Sequence, residues 1–215
     1  MYKKILILTI FLLAIGTDVY CGKFDGLTKS EMDVWQKVNK KAMTLLVTDG
    51  DYMMLDEFKD ISVFGGIYFF YEDDQTNKMV GLDQKYLQDY TKLRFKNNFA
   101  DIKYNPEWTK IKDIGSSTVL RTVGAITISA WTVGEKYPIA YYINCKIWNM
   151  DESQDFYEDA FLGITSEEKV QETIKNCIDA LIERSAVRCF KVKDWWTVEQ
   201  KKAKEEIDQE KNKKK

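Results

Sequence analysis

Histidine is absent from all 215 residues. That removes the commonest general base, the usual activator of serine and cysteine nucleophiles, and the commonest transition-metal ligand. A Ser-His-Asp or Cys-His hydrolase is therefore excluded, as are HExxH metalloproteases and Cys2His2 zinc sites. Proline is nearly as scarce, at two copies, and glycine stands at 11, so the chain is neither collagen-like nor of low complexity. Charge of one sign is missing too. The 32 Lys and Arg face 34 Asp and Glu, and no basic stripe interleaved with aromatics crosses the centre. Neither nucleic acid nor an anionic membrane is indicated as a partner. The four cysteines, Cys21, Cys145, Cys177 and Cys189, form no CxxC pair, which removes thioredoxin chemistry and zinc ribbons. A glycine-rich phosphate loop with its lysine-serine partner is lacking as well.

Long apolar runs are lacking except at the amino terminus. Met1-Tyr2-Lys3-Lys4 is a short basic stretch, Ile5 to Ile15 carries no charge, and Gly16-Thr17-Asp18 follows. This three-part layout reads as a secretory signal over residues 1–16. The run is too short for a spanning helix, which needs about 20 apolar residues. Ala14-Ile15-Gly16 satisfies the small-x-small cleavage rule, and cutting after Cys21 or Gly22 is the competitor. Cys21 is poorly placed for a lipid anchor: Tyr20 precedes it where a small residue is usual, and Asp18 stands where leucine is usual. The mature chain is expected in the periplasm or outside the cell, without a transmembrane span.

The remainder reads as one domain over residues 23–196 with a charged tail over 197–215. Thr28 and Glu31 make a capping box, with Leu27 and Met32 as a staple, before a helix over 29–47. Its apolar face is Met32, Trp35, Val38, Ala42 and Leu45. A β-branched and aromatic strand over 61–71 contains Gly65-Gly66, the mark of a bulge or a close backbone approach. Asp83 caps a helix over 84–97, and a short strand over 100–104 returns. Residues 118–149 form a long hairpin turning at 134–138. Ile126, Ile128 and Ala130 alternate with Thr127, Ser129 and Trp131, and Tyr141, Ile143, Cys145 and Ile147 with Tyr142, Asn144, Lys146 and Trp148. One face is buried and the other wetter. Ser166 caps a helix over 167–184, and a short strand over 187–192 follows it. From Glu199 on the chain is almost wholly polar, which predicts a disordered tail or a frayed helix, dispensable for folding. The fold class expected is α+β: a mostly antiparallel sheet built around the hairpin, with helices packed on one face.

Paired acids are the one catalytic raw material in quantity. Asp49 with Asp51, Glu72 with Asp73 and Asp74, and Asp151 with Glu152 and Asp155 stand out, and a glycosidase needs two carboxylates across a cleft. Each cluster falls in a predicted turn, where acids are ordinarily solvated. Asp73, Gln75 and Asn77 alternate as calcium-loop ligands do, but Lys78 replaces the required glycine and Gln84 the required glutamate. No catalytic, cofactor-binding or metal-binding residue is assigned. Cys145 and Cys177 both lie on apolar faces, and two readings stay open: a disulfide between them, or two buried thiols. Trp195-Trp196, at the junction with the tail, is read as an anchor for the tail or as a partner-contact patch.

Two stretches carry a resemblance. One is the strand–helix–strand over 61–104, with Gly81-Leu82-Asp83 opening the helix and Leu93-Arg94-Phe95 near its end. The other is the hairpin and final helix over 118–184, with Phe161-Leu162-Gly163 between them. Their order resembles small exported α/β domains of bacterial envelopes: the curli-secretion outer-membrane protein, the amino-terminal domain of TolB, and auxiliary lipoproteins of lipid transporters. The resemblance implies a non-catalytic assembly or interaction module. The expected function is therefore protein–protein interaction in the envelope or outside the cell. A small-ligand or lipid-binding domain is the alternative, and a secreted hydrolase using paired carboxylates is the weaker one. Amino-terminal sequencing of the exported product should find Thr17 first, or Gly22 or Lys23; an intact Met1 on a cytoplasmic form would overturn the export reading.

Overall fold

Alternation along the central hairpin decides where the other elements go. The computed structural model describes residues 28–49, 57–71, 82–110, 120–134, 137–151 and 157–213. The expected signal with Cys21, the staple residue Leu27, Asp51, the run Glu72 to Asn77, Glu152 and Asp155 lie outside these. On β3 (Val123–Val133), Ile126, Ile128 and Ala130 are buried; on β4 (Ile139–Asn149), Ile143, Cys145 and Ile147 are. Trp131, Tyr142, Lys146 and Trp148 on the opposite face are partly exposed. The strands pair antiparallel, Ile128 opposite Cys145 and Ser129 opposite Asn144.

β1 (Val63–Tyr71) joins β3 in parallel on its other side, and β2 (Lys103–Tyr104) lies parallel beyond β1. The ladder between β1 and β3 slips by one residue between Phe64 and Gly66, the bulge expected from the glycine pair. A Cβ on Gly65 would fall 2.5 Å from Trp108 Cδ1 and 2.9 Å from Val123 Cγ1, so only glycine fits. β5 (Tyr157–Thr165) pairs antiparallel with β4 and completes the order β2-β1-β3-β4-β5. Sequence periodicity passes over β5, because Glu158-Asp159 open it and Gly163 interrupts it. The sheet is mixed: α+β, with its two longest ladders antiparallel.

Among the described residues there are three α-helices. α1 (Lys29–Asp49) starts at the expected capping box: Thr28 N donates to Glu31 Oε2 at 2.8 Å and Glu31 N to Thr28 Oγ1 at 3.3 Å. α2 (Gln84–Asn98) is capped by Asp83, whose Oδ1 accepts from Tyr86 N. Gln88 on α2 accepts from Phe69 N at 2.7 Å and donates to Ile67 O at 2.9 Å, satisfying the edge of β1 where short β2 no longer pairs. α3 (Val170–Lys213) is one 44-residue helix, which corrects one expectation: residues 187–192 are helical rather than a strand. Of the two readings of the polar tail, disordered or a frayed helix, it is helical to Lys213. Val187, Cys189 and Lys191 read as a strand alternation in isolation. In the helix, Ile178, Leu181, Ser185, Cys189, Val192 and Trp196 continue one buried stripe at spacings of three and four. Ser166 holds the cap position with extended backbone, but its side chain makes no capping bond.

α2 and the first part of α3 share the buried face of the sheet. Phe64 on β1 meets Phe95 and Phe99 at ring-centroid distances of 4.9 and 5.3 Å. Tyr90 OH donates to Asp179, and Arg94 Nε stands 2.7 Å from the same carboxylate, tying α2 to α3. Burial, then the bond to Asp179, pushes the Tyr90 hydroxyl up to about 12.

The chain divides into two compact units, residues 55–195 and a smaller one made of α1 with residues 196–213 of α3, where the sequence reading took one domain and a tail. In the smaller unit the helices run antiparallel. Lys37 lies 2.5 Å from Glu206 and 4.0 Å from Glu210, and Lys41 pairs with Glu199. Val38, Ala42 and Ala203 are buried there. A sparse apolar seam of Trp196, Ala203 and Ile207, flanked by Lys and Glu, docks a segment whose composition alone reads as tail.

The cysteines report the register of α3 on β4. Cys145 and Cys177 are free thiols and both are buried, as is Cys189. Tyr141 is hydrogen-bonded to Cys177, and Ser185 to Cys145. Eight helical residues therefore match four strand residues, and Cys177 sits about 12 Å along the axis from the point facing Cys145. A bridge needs Cα atoms within about 7 Å, so the helix carries both cysteines on the expected face but out of reach of each other.

Two outcomes follow. Lys41 and Lys202 hold the Glu199 carboxyl below its ordinary value, the Lys41 hydrogen bond being the largest cause. A depressed carboxyl stabilises the native state above the unfolded-state value and loses that contribution as pH falls through the native one. Lys41→Met should thus lower the melting temperature at pH 7, and the gap from the parent should close on acidification below about pH 4, read by circular dichroism. Burial also pushes the Cys145 and Cys177 thiols up. Alkylation of the native protein at pH 8 should modify Cys145 roughly a hundredfold more slowly than in denaturant. Rapid native labelling, mapped to its peptide, would show that α3 does not cover β4.

Candidate functional site

With α2 and α3 on one side, no α-helix among the described residues of the same unit lies over the other face of the sheet. Strand spacing of about 4.8 Å and a two-residue repeat of about 6.8 Å lay its side chains out in rows. Tyr68, Thr127, Lys146 and Glu158 make one row across four strands; Phe70, Ser129, Asn144 and Ala160 make the next. Trp131, Tyr142 and Leu162 follow, then Val133, Ala140 and Ile164. This outer face is unusually apolar for one turned away from the core. Leu162 is 79% and Ile164 63% exposed, and Tyr68, Phe70 and Val133 are exposed as well.

The aromatics are ordered by their neighbours. Tyr68 and Phe70 stack with ring centroids 5.9 Å apart and planes 21° apart. The Tyr68 ring lies over Gly66, where a Cβ would come within 2.3 Å of Tyr68 Cε2. The second glycine of the bulge is thus what lets the ring lie down on the strand. Trp131 and Tyr142 face each other across β3 and β4 at 5.2 Å. Trp148 Nε1 donates to Thr127 Oγ1 at 3.5 Å. Between the aromatic rows, Asn144 donates to Glu158 at 3.1 Å, and Lys146 lies 3.9 Å from the same carboxylate. Asn144 is 4% exposed, and its Oδ1 has no hydrogen-bond partner among the described residues. An unpaired buried acceptor costs about 1–3 kcal/mol, so this spot on the face is polar and unsatisfied.

The sequence-nominated residues fall elsewhere. Cys145 and Cys177 lie under α3, on the core side. Trp196 is only 4% exposed and Trp195 half-buried. Asp151 stands 2.7 Å from Arg121 Nε, and Asp49 ends α1. Among the described residues no group of three or more Cys, Asp or Glu could hold a metal ion, and no helix is long and apolar enough to cross a membrane. Sequence reasoning placed Trp131, Tyr142 and Trp148 on the wetter face but missed the β5 contribution. The alternation of Ala160, Leu162 and Ile164 was the signal available for it.

No family model and no curated protein matches the chain. Solved structures similar to it include the PelC dodecamer from Paraburkholderia phytofirmans in two crystal forms. Each has a TM-score of 0.35 and 6% identity, covering 58% of this chain and 87% of that one. Likeness at this level assigns neither family nor function.

Proposed function

We propose that the protein is an exported, non-enzymatic interaction module of the cell envelope or the extracellular space, and that it grips a protein partner through the aromatic centre of its outer sheet face. The observation that carries this reading is the cluster of Tyr68, Phe70, Trp131 and Tyr142 on a face that no α-helix of the same unit covers among the described residues. Contiguous exposed apolar surface is costly to solubility and marks contact surfaces, and aromatics dominate the energetics of such contacts. The absence of histidine and of any assigned catalytic constellation supports a binding role over a catalytic one. The layer between hairpin and α3 is filled by Ile143, Cys145, Ile147, Ile178, Leu181 and Ile182, all fully buried. That close packing favours an interaction surface over the lipid-binding alternative, which needs a cavity there.

The test is affinity capture from the native envelope on immobilised protein, with Phe70→Ser against Lys85→Ala, an exposed control on α2. Wild type and the control should retain the same protein, and Phe70→Ser should bind it at least about tenfold more weakly with an unchanged melting temperature. Equal retention by all three would sink the reading.

A further inference from the structure

The two edges of the sheet are treated very differently. At one edge β2 pairs over only two residues, Lys103 and Tyr104, and a two-residue edge offers little to an incoming strand. At the other, β5 runs straight for nine residues, Tyr157–Thr165, in unbroken register with β4. It carries no lysine, no proline and no bulge, three of the devices that ordinarily keep an edge from pairing; its charges are confined to Glu158 and Asp159 at the amino-terminal end. It also presents Leu162 and Ile164, two of the most exposed large apolar side chains among the described residues.

The hydrogen-bond phase of this edge can be read. Ala160 N donates to the neighbouring Asp159 Oδ1 at 2.9 Å, so it points away from β4. Antiparallel ladders alternate, which turns the backbone groups of Glu158, Ala160, Leu162 and Ile164 outward and those of the odd-numbered residues toward β4. An antiparallel copy of β5 must then pair even residues with even residues. One such register overlaps all nine residues of both strands: the one with Phe161 on the two-fold axis. It sets Ala160 opposite Leu162, Glu158 opposite Ile164, Asp159 opposite Gly163, and Tyr157 opposite Thr165. No acid faces an acid. Shifting by two residues toward the carboxyl end brings Glu158 beside Glu167 of the other chain, and a shift the other way leaves Ile164 unpaired.

Charge is complementary on the helix side as well. Arg184 lies over the Phe161 ring at 4.3 Å and 3.0 Å from Asp159. At the axis two such Arg–Asp pairs would flank two phenylalanine rings, cation beside anion across the interface. We propose that the β5 edge is a self-association surface, joining two copies of this chain antiparallel through β5 into one continuous ten-stranded sheet with Phe161 on the two-fold. This goes beyond the partner-binding reading and does not depend on it, since Phe70 lies three strands away from β5.

The test uses the purified protein in sedimentation equilibrium. The mass should approach that of two chains at tens of micromolar. Ala160→Pro removes an outward N–H without touching the β4 ladder, and Leu162→Lys places charge on the edge; both should weaken dimerisation at least tenfold. Register is checked by cysteine cross-linking with a reagent of about 8 Å reach. Leu162→Cys lies diagonally opposite itself at roughly 7–8 Å and should cross-link between chains. Glu158→Cys should not, its copies being about 20 Å apart. A parent protein monomeric at all concentrations, or cross-linking through position 158 and not 162, overturns the proposal. A monomer that still captures its partner through Phe70 would overturn this proposal alone.

Discussion

The structure hangs on the one-sidedness of the central hairpin. Ile126, Ile128, Ala130, Ile143, Cys145 and Ile147 all project to one face, and each fully buried isoleucine contributes about 1.5–3 kcal/mol of transfer free energy. That face must be covered, and α2 and α3 both settle there. The Gly65 bulge preserves the arrangement where β1 joins in parallel. By inserting one residue it returns Ile67, Phe69 and Tyr71 to the buried side and sends Tyr68 and Phe70 to the other. The exposed aromatic face is thus a by-product of the same alternation that builds the core.

Covering the sheet creates polar obligations, met by side chains far away in sequence. Gln88 completes the edge of β1. Lys193 on α3 donates to the carbonyls of Lys59 and Ile61 just before β1, and burial holds its ammonium below the ordinary lysine value. Asp179 receives Tyr90 and Arg94 from α2. Because unpaired buried donors and acceptors each cost on the order of 1–3 kcal/mol, these pairs select one placement of the helices among the many that apolar packing tolerates. The same logic singles out Asn144, whose unpaired oxygen lies on the outer face, where the core has no use for it.

The two contacts proposed above draw on different features of the sheet: side-chain recognition on aromatics held by Gly66 and by the Trp131–Tyr142 pair, and backbone pairing along β5.

What the sequence determined by itself is local. The capping box at Thr28 and Glu31, the Asp83 cap, the bulge glycines and the hairpin alternation were all legible, because each is set by neighbours within a few residues. Most side chains of the outer face were legible for the same reason, since Trp131, Tyr142 and Trp148 follow from strand parity. Tertiary structure alone decided the rest. β5 is a strand because β4 offers it a ladder, although Glu158, Asp159 and Gly163 argue locally against one. Residues 187–192 are helical because Ser185, Cys189 and Val192 extend a stripe that the sheet and α2 bury. The polar end of α3 docks because α1 supplies Val38, Ala42, Lys37 and Lys41 from more than 150 positions earlier. Cys145 and Cys177 stay apart because the rise per residue differs between helix and strand, so their separation depends on where the helix lies along β4. Such choices rest on contacts between residues distant along the chain, and no local pattern encodes them.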